Sequence, residues 1–88
     1  MESKNYIVNE LERIKSIFPE ISFKYKYIES ELLYIIYVEP LEIYENDQNY
    51  MKEESDLLYN FENKFLTESI MFISENSLTK MEEPYHII

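Results

Sequence analysis

"ISFKYKYIESELLYIIYVEP", residues 21–40, holds two strands and the break between them, and the fold turns on how its two halves differ. The first half alternates. Ile21, Phe23, Tyr25 and Tyr27 fall on one side and Ser22, Lys24 and Lys26 on the other, as in a strand with one wet face. The lysines also suit an edge strand, where charge discourages unwanted pairing. After the polar break Glu29-Ser30-Glu31, the run Leu32 to Val38 carries no polar group except tyrosine hydroxyls. Both of its faces want cover, which predicts a central strand. Pro40 brings no N–H to a ladder, so pairing is expected to weaken there or to continue as a partly free edge through Leu41–Tyr44.

On the N-terminal side, Ile7, Leu11, Ile14 and Phe18 recur at steps of four, three and four, one face of a helix that Pro19 stops. Its outer face pairs Glu10 with Arg13 and Glu12 with Lys15. On the C-terminal side, Glu45-Asn46-Asp47 supplies cap-type residues. Tyr50 or Met51, Leu57, Leu58, Phe61 and Phe65 then predict a second amphipathic helix over roughly 48–66. Residues 68–75, "ESIMFISE", read as a short third strand. The end, 76–88, starts with turn residues and contains Pro84, so it is expected as a packed or flexible tail to a single domain spanning 1–88.

The order α-β-β-α-β predicts an α+β two-layer sandwich, a three-stranded mixed sheet with both helices on one face. A hairpin makes the first two strands antiparallel. A right-handed helical crossover then returns the third strand parallel to the second, with pairing to the first strand as the other topology. Such a sheet leaves an apolar half-face beside Ser22, Lys24 and Lys26. Either the tail from Leu78 to Ile88 covers it, or it serves as a dimer or target face. That face is built around Tyr34, Ile36 and Val38, or around Leu33, Ile35 and Tyr37 in the opposite register.

Charge is laid out unevenly. The first 28 residues hold four acids and five bases, a balance of +1, whereas the remaining 60 hold fourteen acids and three bases, a balance of −11. From Glu29 to Glu62 there are ten acids and one base, Lys52. Acids close together in space reinforce one another's field within a Debye length of about 8 Å. Such a surface repels nucleic acid and anionic membrane and attracts basic proteins. The predicted partner-binding set is therefore Glu39, Glu42, Tyr44, Glu45, Asp47, Tyr50, Glu53, Asp56, Tyr59 and Glu62, the tyrosines adding rigid contact area. The same acids have a structural reading, as favourable charge near a helix N-terminus and as a solvated face.

The inventory for chemistry is thin. His86 is the single histidine and sits third from the end, cysteine is absent, and without glycine there is no phosphate-cradling loop or dinucleotide fingerprint. "EIYENDQN" has oxygen ligands in a row but lacks the glycine and the spaced glutamate of a calcium loop. No cofactor or metal is expected. The opening residues have no apolar core of signal-peptide length and no window approaches a membrane span, so a cytoplasmic protein is expected. The hydrophobic share, 45%, is too high for a disordered acidic tail. A short, acidic, tyrosine-rich, glycine-free chain is similar in type to small bacterial and phage inhibitors, immunity proteins and antitoxins, through composition and no specific motif. The expected function is a non-enzymatic inhibitor of a basic nucleic-acid-handling protein. The rival is an accessory homodimer joined through the second strand.

Overall fold

A computed structural model describes residues 2–74 and 85–88. The elements run α1 (Glu2–Ile17), β1 (Ser22–Ile28), β2 (Leu33–Glu39), α2 (Leu41–Asn46), α3 (Gln48–Lys64), β3 (Ser69–Ile73) and β4 (His86–Ile87). The class is α+β with a mixed sheet, as the sequence implies. The sheet has four strands, in the order β3-β2-β1-β4, and the chain order is α-β-β-α-α-β-β.

Two departures from the expected α-β-β-α-β order have local causes. Residues 41–46 form a helix and do not prolong β2. Pro40 closes the ladder, and its carbonyl instead accepts the Tyr44 N–H at 3.3 Å, starting a turn of α2. The second departure is β4, which pairs antiparallel with β1 through Lys24 opposite Ile87 and Tyr25 opposite His86. The Ile88 N–H also donates to the Phe23 carbonyl at 3.0 Å. β1 is thus an inner strand with lysines on its open face, not an edge guarded by them. The tail residues 75–84, including Leu78, lie outside the described residues.

β1 and β2 are antiparallel, with Tyr25 opposite Ile36, and β3 runs parallel to β2, with Ile36 opposite Phe72. This register decides what faces inward. Phe23 and Tyr25, Tyr34, Ile36 and Val38, and Ile70 join Ile7, Leu11 and Ile14 of α1 and Tyr50, Leu57 and Phe61 of α3 in one buried cluster. Tyr34, Ile36 and Val38 are therefore not the open face. They are buried under the helices, at 1%, 0% and 0% exposure, and the opposite register, Leu33, Ile35 and Tyr37, holds the other side.

Two buried hydroxyls at this core have partners. Tyr34 shares a 3.0 Å hydrogen bond with Ser3, and Ser74 donates to the Val38 carbonyl at 2.7 Å. The corner between β1 and β2 is tight: Leu32 closes it in the left-handed region at φ 50°, with its N–H donating to the Glu29 carbonyl. In a chain without glycine, a leucine carries this strain.

Candidate partner-binding site

The ten residues expected to bind a partner do not form one patch. Glu39 points to the helix-free face of the sheet, where its carboxylate lies 3.8 Å from Lys24 Nζ. Asp47 is the hinge between two helices. Its N–H donates to the Ile43 carbonyl at the end of α2, while its Oδ1 accepts the N–H groups of Asn49 and Tyr50 at 2.9 and 3.1 Å at the start of α3. Its carboxylate is thus engaged as a helix cap. Tyr50 is wholly buried against Phe18 and Phe23. Glu53 meets the Arg13 guanidinium at 2.7 Å, and the same guanidinium holds Glu10, which ties α1 to α3.

Four of the ten keep an outward role on the α2–α3 side. Glu42 and Glu45 are exposed on α2, and Tyr59 and Glu62 are exposed on α3. Asp56 is exposed too but sits 3.0 Å from Lys52, a helical pair of small energetic weight. Tyr44 is half-buried, its hydroxyl donating to the Phe72 carbonyl at 3.1 Å and fastening α2 to β3.

Between α2 and α3 lies an open groove of about 620 Å³, lined by Tyr44, Glu45 and Asn46 from α2 and by Met51, Glu54 and Ser55 from α3. Two of its six lining residues are acids and none is a base. Met51, Ser55, Tyr59 and Glu62 continue from it along α3 at steps of four, four and three, so groove and exposed tyrosine share one side of the helix.

Glu54 is the residue that the expected set lacks. It lies four residues after Tyr50, three before Leu57 and seven before Phe61. It therefore occupies a position in the apolar stripe of α3, and this spacing is the sequence signal that marks it. Burial there pushes its carboxyl up to about 7, with the Tyr50 hydroxyl acting weakly in the other direction. The Tyr50 hydroxyl is buried without a hydrogen bond of normal length among the described residues. It interacts with the Glu54 carboxyl and with Tyr44, and burial followed by Glu54 raises its own proton affinity.

On the other side of the sheet, the Lys24 ammonium lies over the rings of Tyr85 and Tyr37, 4.9 and 5.8 Å from their centres. Back on the helix side of the sheet, His86 stacks on Tyr25 with 5.0 Å between ring centres, a place in a strand that its position near the end of the chain does not foretell. Among the described residues no cluster of three acid, histidine or cysteine side chains could hold a metal ion, and no helix is long and apolar enough to cross a membrane. Comparison with protein-family models, with curated proteins and with solved structures finds no match for this chain.

Proposed function

We propose that this chain is a non-enzymatic protein-binding module of the cytoplasm. It inhibits a basic nucleic-acid-handling protein by covering that protein's phosphate-binding surface. The observation that carries the reading is the α2–α3 side, where a groove lined by Glu45 and Glu54 and no base adjoins exposed Glu42, Tyr59 and Glu62. The net charge of −10 supports it, since a field of that sign steers a basic partner in and turns nucleic acid away. Tyr59, at 70% exposure, offers the large aromatic area typical of interface anchors.

The accessory-homodimer reading has less support. In the observed register its face would be Leu33, Ile35 and Tyr37, and Ile35 is already only 7% exposed in the single chain. A dimer would still show itself as doubled solution mass that reverts to the monomer on changing Met71 to Lys.

Capture from host lysate on the immobilised chain, compared with the triple variant Glu42→Gln, Glu45→Gln, Glu62→Gln, tests the inhibitor reading. The expected result is a basic protein held at low salt, shed at high salt, lost on the variant, and slowed in its own nucleic-acid activity by the free chain. A target held equally by the variant, or one whose nucleic-acid activity is untouched, contradicts the reading.

A further inference from the structure

We propose that α2 is a hinged flap, seated on α3 while Glu54 keeps its proton and loosened when that proton leaves. The seat is slight. α2 has six residues and none of them is buried, with Ile43 and Tyr44 only partly packed against the core. Among the described residues its one side-chain hydrogen bond runs from the Tyr44 hydroxyl to the Phe72 carbonyl at 3.1 Å. Pro40 bounds it on one side and Asp47 on the other, where a single residue both ends α2 and caps α3. A short element held at its two ends and by one latch opens at a lower free energy than the core it rests on.

Glu54 sits where the flap closes. It takes a place in the apolar stripe of α3 and lines the groove together with Tyr44 and Glu45 of α2. The titratable groups that face it are Tyr50 on its own helix and Tyr44 and Glu45 on α2, while β3 carries no titratable side chain. None of these is a cation. Arg13 of α1 is engaged with Glu10 and Glu53, and Lys52 of α3 with Asp56. Ionisation therefore leaves a partly buried carboxylate beside a second acid, and only water can compensate it. Admitting that water requires α2 to lift. Burial holds the carboxyl of the seated form at about 7 against the ordinary 4.5. Seating is thus at full strength below about 4.5, weakens by at most about tenfold per pH unit from there to about 7, and stays at its low value above. Glu42 and Glu45 ride on α2, so the flap sets where these two acids stand, whatever partner the chain binds.

The test is amide exchange by NMR on the whole labelled chain at pH 5, 6 and 7.5, with rates corrected for the intrinsic pH dependence of exchange. The reporters are the N–H groups of Tyr44 and Asp47, which donate to the Pro40 and Ile43 carbonyls at the two ends of the flap. Their protection should lie far below that of the Leu57 and Phe61 N–H groups in α3, should not respond to low urea, and should be lower at pH 7.5 than at pH 5 by about tenfold or more. Glu54→Gln should hold the pH 5 level of protection at pH 7.5. Tyr44→Phe, which cuts the latch and leaves the acid, should lower protection at every pH and keep its pH dependence. Protection in α2 equal to that in α3 would mean that α2 opens only with the whole fold, which overturns the flap. Corrected rates that do not change between pH 5 and pH 7.5, or a pH dependence that survives Glu54→Gln, overturn its control by Glu54.

Discussion

Glu54 holds a core position with a side chain that prefers water, and its proton is how the molecule accommodates the conflict. The folded chain raises this carboxyl from the ordinary 4.5 to about 7. Its stabilising contribution is therefore complete below the unfolded value, falls as pH rises from about 4.5 to 7, and is absent above. Glu54→Gln should be close to neutral at pH 4.5 and more stable than the parent by about 1 to 2 kcal/mol at pH 8, with partial exposure holding the effect below the full shift. Urea unfolding at both pH values measures it, and a difference that does not change with pH contradicts this account. Leu32 offers a second test. It is exposed and held at φ 50°, so Leu32→Gly should raise stability by about 1 kcal/mol, and a lowered thermal midpoint would show that its packing outweighs its strain. Glu54 was visible in the sequence as an acid in a four-three-four stripe. Its weight becomes clear only when α2 is known to close over it.

At the scale of elements, strong periodicity was readable and short pieces were not. The stripes of α1 and α3 and the contrast between β1 and β2 come from many residues agreeing, and tertiary packing follows them. α2 has six residues, too few for a period, and its Leu-Glu-Ile alternation fits a strand as well as a single turn of helix. β4 has two residues, defined by its ladder to β1 and by nothing in its own pattern. The register of β2 was beyond sequence reading because both of its faces are apolar, so either could be turned to the helices. Asp47 joins α2 to α3 and orients both walls of the groove. Asp47→Ala should cost about 1 kcal/mol, which is a fall of roughly 4 to 8 °C in thermal midpoint for a domain of this size. It should also weaken partner binding more than its lost charge alone would, since the groove depends on the hinge. A variant with unchanged stability would mean that the two N–H bonds to its Oδ1 contribute nothing net.

Across the whole molecule, the acidic bias of residues 29–88 was legible, but its division among sites was not. Folding assigns Glu39 to the open sheet face, Glu53 to Arg13 and Asp47 to a cap, while Glu42, Glu45 and Glu62 stay outward. The surface available to a basic partner is therefore narrower than the run of carboxylates in the sequence and lies on the α2–α3 side. The most direct measurement is an NMR footprint of the isotopically labelled chain with its captured target. The account expects shifts concentrated in 42–62, led by Glu45, Met51, Glu54, Tyr59 and Glu62 and diminished by salt. Shifts confined to Lys24, Leu33, Ile35 and Met71 on the helix-free face, with α2 and α3 silent, would contradict it.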